Sequence, residues 1–297
     1  MKSTLVYWAY ALAWRITRLL PEAWAYGLAE RVADRIYGKN GKQIDRMRSN
    51  YLRIHPELDS ADLEKMVRDG MRSYLRYWCD TFRFPNWSNE QIISSVVVEN
   101  EEFLREPMRN GRGCIVSLPH AGNWDHAGAY FCATGIPLTT VAEHLDPEKL
   151  FRKFLDYRQQ IGMEVLDLDS RVIATLAQRL RAGKLVALVA DRDLSKSGVA
   201  VTFNGGPARM PAGPAILSIQ AGAPLITAFV KYEESGIRII FDAEIEIPNS
   251  GTQTEKVAHM TQICADRFAL RIAQNTSDWH MLQRIWVDGD FQDRDES

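Results

Sequence analysis

Between residues 96 and 247, short apolar runs alternate with segments of helical period, and that alternation restricts the fold more than any other feature of the chain. Predicted strands cover 114–118, 138–142, 163–168, 185–190, 199–203, 224–231 and 237–245. Predicted helices cover 122–133, 147–161, 170–182 and 211–221. A strand followed by a helix and another strand calls for parallel pairing, with the helices packed on the sheet faces. The expectation is an α/β fold: a central, mostly parallel sheet flanked by helices. The later strands follow one another closely and add antiparallel edges. The 297 residues suit one large domain or two small ones; the chain is read as one α/β unit, 1–297, with an N-terminal helical region. In such sheets ligands bind beyond the carboxyl ends of the strands.

Composition narrows the class. Hydrophobic residues make up 46%, charged residues 25%, and the net charge is -2. This is an ordinary globular balance with no nucleic-acid character. The four cysteines, Cys79, Cys114, Cys132 and Cys264, show no C-x-x-C spacing and several sit in apolar runs, so buried free thiols in a reducing compartment are expected. No apolar stretch reaches the roughly 20 residues of a membrane-spanning helix. The N-terminus lacks a cleavage pattern after a proper apolar core, so the chain is read as uncleaved and kept on the cytoplasmic side. The motifs G-x-S-x-G, the Walker loop, G-x-G-x-x-G and H-E-x-x-H are all absent.

The first segment, Leu5 to Leu20, is helical in period, rich in Trp and Tyr, flanked by Lys2, Arg15 and Arg18, and followed by Pro21. Two readings stand side by side for residues 1–20: a membrane-interface helix or a terminal helix packed on the core. Residues 22–83 read as mostly helical, broken at Gly38-Lys-Asn-Gly41. A basic stretch carries Lys42, Arg46, Arg48 and Arg53, either a solvated face or a surface for phosphates and anionic lipid. Tyr74, Tyr77, Trp78, Phe82 and Phe84 close this region as core or as the wall of a long apolar ligand.

The chemistry centres on Ser117-Leu-Pro-His-Ala-Gly-Asn-Trp-Asp125. Cys114 to Leu118 reads as a buried strand, which Pro119 ends because it lacks an N–H and restricts the residue before it. Gly122-Asn123 continues a turn, and a helix opens at Trp124. His120 and Asp125 are therefore five positions apart across a strand–turn–helix corner. Folded back, the carboxylate would hold Nδ1–H and fix the tautomer of a general base. Equally, His120 reads as a satisfied turn histidine and Asp125 as a helix N-terminal carboxylate favoured by the dipole. A second strand end, Leu185 to Ala190, is followed by Asp191-Arg-Asp193, three charges in a place packing alone does not explain. Arg192 suits a phosphate or carboxylate, or an ion pair with Asp191 or Asp193. The Gly/Pro-rich loop 203–214 enters a helix whose N-terminus suits an anion, with Arg209 to assist. A C-terminal helix over 252–275 starts near Thr252 or Thr254, and 279–286 packs after it; the tail from Asp288 is acidic.

Pro119-His-Ala-Gly-Asn-Trp-Asp125 resembles the H-x4-D motif of glycerolipid acyltransferases, and the longer block from Ser117 resembles their lipid A late-acyltransferase branch. Ala190-Asp-Arg-Asp-Leu-Ser-x-x-Gly198-Val, Ala208-Arg-Met-Pro-Ala-Gly-Pro-Ala215 and Asp278-Trp-His-Met-Leu-Gln283 are similar to the actinobacterial phosphatidylinositol mannoside acyltransferases. The resemblance runs from the N-terminal helix to about Trp286. It implies a glycerolipid-acyltransferase-like fold and a peripheral enzyme on the inner face of the plasma membrane. That enzyme would move a long, palmitoyl-like chain from acyl-CoA to the 6-hydroxyl of a mannose. It implies His120 as base and Asp125 as its partner, with Glu143, Arg158, Arg192 and Asp193 where the family keeps polar site residues. Acyl-CoA serves as donor substrate, and no metal or resident cofactor is expected. The partners are acyl-CoA, the mannoside acceptor and a membrane surface, with no nucleic acid. Alternatives are a lipid A-type acyltransferase using acyl carrier protein, a thioesterase, and a non-catalytic acyl-CoA or glycolipid binder.

Overall fold

A computed structural model describes residues 2–142, 148–168, 171–193 and 197–288. Four helices come first: α1 (Lys2–Leu19), α2 (Glu22–Gly38), α3 (Lys42–Ile54) and α4 (Ser60–Arg83). Then follow α5 (Asn89–Ser94), β1 (Val96–Glu99), α6 (Glu102–Arg109), β2 (Cys114–Leu118), α7 (Trp124–Ala133), β3 (Leu138–Ala142), α8 (Glu148–Gln160), β4 (Glu164–Asp167), α9 (Val172–Arg181) and β5 (Leu185–Val189). The last part carries β6 (Val199–Phe203), β7 (Gly206–Met210), α10 (Gly213–Ala221), β8 (Leu225–Tyr232), β9 (Ile237–Phe241) and α11 (Gln253–Gln274).

Seven strands form one sheet in the order β1-β9-β8-β2-β5-β3-β4. Every neighbouring pair is parallel except β8–β9. The protein is thus α/β with a mostly parallel sheet, as its alternating pattern predicts. β2 lies at the centre and is buried along its whole length. Its side chains alternate between faces: Ile115 packs with α3, α9, α10 and α11, whereas Val116 and Leu118 pack with α6 and α7. Helices therefore cover both faces, the arrangement a parallel sheet needs to keep its apolar strands dry.

The structure departs from the sequence reading at two strands, and the first departure has a local cause. The segment 199–203 does not join the main sheet; it pairs with β7 in a separate antiparallel hairpin. Asn204 and Gly205 both adopt positive φ, 44° and 73°, the two-residue turn that an Asn-Gly pair favours. The strand β9 ends at Phe241 rather than 245. The C-terminal helix begins where a capping box forms: the Thr252 hydroxyl accepts from Glu255 N–H while the Glu255 carboxylate accepts from Thr252 N–H.

The N-terminal helix packs on the core along one face and is exposed along the other. Trp14 and Tyr10 pack on Trp78, Phe82 and Phe154 from α4 and α8, so one face is part of the core. The other face leaves Trp8, Leu12, Ile16 and Leu19 exposed, and α2 adds Trp24, Leu28 and Val32. In the basic stretch, Arg48 is held by Asp45 and Glu64, and Arg53 by Asp288. Cys79, Cys114 and Cys264 are buried free thiols and Cys132 is half-buried. Among the described residues no helix is long and apolar enough to cross a membrane.

Candidate active site

The corner after β2 is built by a short sequence. Ala121 N–H returns to Pro119 O at 2.8 Å, and Gly122 N–H reaches Asp278 O at 2.8 Å. Gly122 has φ +56°, and a Cβ there would lie 2.5 Å from Val230 O, so the turn passes β8 too closely for any side chain. Asn123 then caps α7, its side-chain oxygen accepting from His126 N–H at 2.9 Å.

This corner delivers His120 to a carboxylate, but not to the one at the fifth position along. Asp191 Oδ1 lies 2.5 Å from His120 Nδ1. Its Oδ2 accepts from His120 N–H at 3.1 Å and from the Trp279 indole N–H at 2.9 Å. The sheet order explains the pairing. β5 runs parallel beside β2 with Leu118 opposite Val189, and Ala190 N–H bonds Leu118 O at 2.9 Å. The first residue beyond Ala190 therefore stands beside the second beyond Leu118. Asp191 is fully buried. Burial pushes its carboxyl up, yet the charge of His120 and the hydrogen bonds from His120 and Trp279 outweigh it and hold the group below the ordinary carboxylate range. An ionised acceptor on Nδ1 keeps the proton there and leaves the lone pair on Nε2.

The expected contact between Asp125 and His120 Nδ1 is thus corrected. Asp125 sits in the first turn of α7, where the chain turns its carboxylate toward α4 and α8. It accepts from Arg158 Nε at 2.9 Å and Nη2 at 3.3 Å, and from the Tyr77 hydroxyl at 2.9 Å. Burial draws the Arg158 guanidinium down, but Asp125 more than compensates and keeps it firmly charged. The Tyr77 ring stacks on Trp124 with centroids 4.4 Å apart, and Trp124 meets the His120 ring edge-on at 5.6 Å. Behind them, His280 N–H donates to His120 O at 2.8 Å. Burial pushes the imidazole of His280 down to about 3 and keeps it neutral.

Beside this cluster lies a narrow pocket of about 80 Å³ between α7 and the sheet. Trp124, Asp125 and Arg158 contribute its polar part; Leu118, Phe131 and Phe241 are among its apolar walls. Its wall is mostly apolar, as the walls of small-molecule sites are. Gly128 lines it too, with the Met163 Cε only 2.2 Å from where a Cβ would stand.

The remaining sequence candidates fall in two places. Asp193 N–H bonds Arg209 O at 2.8 Å, so the hairpin β6–β7 lies against the segment carrying Arg192 and Asp193. Arg192, Asp193 and Arg209 are half-buried. Glu143 lies outside the described residues. Sequence reasoning counted Tyr77 as wall and Trp279 as packing; both bond the site carboxylates.

Comparison with known proteins places the chain in a family. Residues 1–288 match the family described as bacterial lipid A biosynthesis acyltransferase. A protein of Mycolicibacterium smegmatis named phosphatidylinositol mannoside acyltransferase is 39% identical over 283 residues, covering 94% of this chain and 90% of that protein. Two Mycobacterium tuberculosis proteins of the same name are each 36% identical over 285 residues, covering 94% of this chain and 88% of theirs. On this extent of similarity, the chain belongs to the bacterial lipid A biosynthesis acyltransferase family and is an acyltransferase.

Proposed function

We propose that the protein moves a long acyl chain from acyl-CoA to the 6-hydroxyl of a mannose in phosphatidylinositol mannosides, at a membrane surface. The observation that carries the chemistry is the 2.5 Å contact between His120 Nδ1 and buried Asp191. His120 Nε2 takes the proton of the sugar hydroxyl as its oxygen attacks the thioester carbonyl. The carbon–sulfur bond then breaks, and the imidazolium returns the proton to the CoA thiolate. The products are an ester and a free thiol. Such general-base help is worth roughly 10²–10⁴ in rate. Arg158, fixed by Asp125, and the N–H groups at the start of α7 are the donors for the oxyanion. Arg192 and Arg209 suit the phosphates of the donor, and Glu143 the sugar.

The apolar cavity suits the acyl chain, each buried methylene adding about 0.8 kcal/mol. The exposed stripe Trp8, Leu12, Ile16, Leu19, Trp24 and Leu28 suits docking at the lipid interface. Names of the relatives supply the acceptor class. Mass spectrometry of the product from palmitoyl-CoA and a phosphatidylinositol dimannoside tests the reading. One added palmitoyl group on a mannose is expected. A 6-deoxymannose acceptor should stay unmodified; its acylation would overturn the assigned hydroxyl, and free palmitate alone would make the protein a thioesterase.

A further inference from the structure

Asp80 lies on α4 and takes no part in the chemistry above. It is 2% exposed, and burial pushes its carboxyl up. Three donors from three other elements meet on it. The Tyr26 hydroxyl of α2 reaches Oδ1 at 2.5 Å. The Tyr232 hydroxyl of β8 reaches Oδ2 at 2.9 Å, and the Asn123 side-chain N–H reaches the same oxygen at 3.1 Å. The last contact matters most. Asn123 is the cap of α7, and its amide has only two orientations. With the oxygen toward His126 N–H, the amide nitrogen must face Asp80. Turned over, the nitrogen would meet a buried N–H and the oxygen a carboxylate, so both contacts would fail.

We propose that Asp80 is a positioning residue of the acyl-transfer site: by holding the Asn123 amide it sets the start of α7 and with it the corner between His120 and Asp125. The inference rests on the acyl-transfer reading. Asn123 stands three residues after His120 and two before Asp125, so its placement is felt by both. Gly122 is already pressed against Val230 O on one side. Asp80 fixes the next residue from the other side. A shift of the order of 1 Å at such a place costs about 10²-fold in rate.

A charge exchange separates this role from simple capping. Aspartate caps helices about as well as asparagine, so capping alone predicts that Asn123→Asp is harmless. With Asp80 in place it sets two carboxyl groups at hydrogen-bond distance, which must either repel as like charges or take up a shared proton, and in both cases the neutral donor that holds the corner is lost. The kcat for acceptor-dependent CoA release should then fall by roughly 10-fold to 10²-fold, with KM for palmitoyl-CoA little changed. The double variant Asp80→Asn/Asn123→Asp restores one donor facing one acceptor and should regain most of the lost kcat. Should Asn123→Asp alone fail to fold, recovery of both folding and turnover in the double variant supports the pairing equally. Wild-type kcat in Asn123→Asp, or a double variant no better than the single, overturns the inference. Absence of transfer by the wild-type protein would instead strike at the acyl-transfer reading.

Discussion

Replacing Asp191 with asparagine should cripple turnover while leaving the fold intact, and the hydrogen bonds say why. Three N–H groups point at Asp191: His120 Nδ1 at 2.5 Å, His120 N at 3.1 Å and Trp279 Nε1 at 2.9 Å. An asparagine brings one acceptor oxygen and one donor NH2. With its oxygen toward Nδ1, its NH2 opposes two buried N–H groups, each left unsatisfied at about 1–3 kcal/mol. With its NH2 toward Nδ1, its oxygen accepts from both backbone and indole, and Nδ1 becomes an acceptor. The second arrangement wins by roughly 2–6 kcal/mol, at the cost of moving the imidazole proton to Nε2. That tautomer has no lone pair for the acceptor hydroxyl. The same displacement in a Ser-His-Asp triad lowers kcat by about 10⁴. For Asp191→Asn, kcat should fall by roughly 10²–10⁴, or about 3–5.5 kcal/mol at 1.36 kcal/mol per decade. Initial rates of thiol release from palmitoyl-CoA with acceptor, beside a thermal melt, read both quantities. Wild-type kcat in a folded Asp191→Asn protein would refute the tautomer argument.

Further outcomes follow from other residues. Gly128→Ala should drive Met163 into the cavity and shift preference toward shorter acyl-CoAs across a chain-length panel; an unchanged preference would mean the chain lies elsewhere. Leu12→Glu with Trp24→Glu places charges on the exposed faces of α1 and α2 and should move the protein from liposome pellet to supernatant in a sedimentation assay, with thermal stability retained. Burial pushes the imidazole of His126 down to about 4, so between about pH 6.5 and 4 the unfolded chain binds a proton that the folded one refuses. Stability should therefore fall with falling pH across that window, by about 1.4 kcal/mol per pH unit for this group. Urea titrations at pH 7 and pH 5 check the sign, and a His126→Gln protein should show a shallower loss.

The corner at His120 was legible in the sequence because its signals are local. Pro119 ends a strand, Gly122 supplies a conformation other residues resist, and Asn123 is a preferred helix cap. The partner of the histidine was not legible from spacing. Asp125 is near in the chain, whereas Asp191 is near only once β5 is known to lie beside β2. Sheet order depends on which faces pack together, and the local pattern of either strand is silent about that. Two parallel strands that end in reactive residues were nonetheless both visible, and pairing their ends would have joined Asp191 to His120. The β6–β7 hairpin had a local signal in Asn204-Gly205 that a Gly/Pro-rich reading of 203–214 overlooked. Asp80 had none, being one of four acids on a long helix. Its three partners come from α2, α7 and β8, and the network exists only in the folded chain.

Acceptor-dependent release of CoA from palmitoyl-CoA, measured on the wild-type protein and on His120→Ala, tests the central claim most directly. Release that requires a phosphatidylinositol mannoside and disappears in a folded His120→Ala protein is the predicted result. Undiminished acceptor-dependent release by that variant would contradict the assignment of His120 as the base.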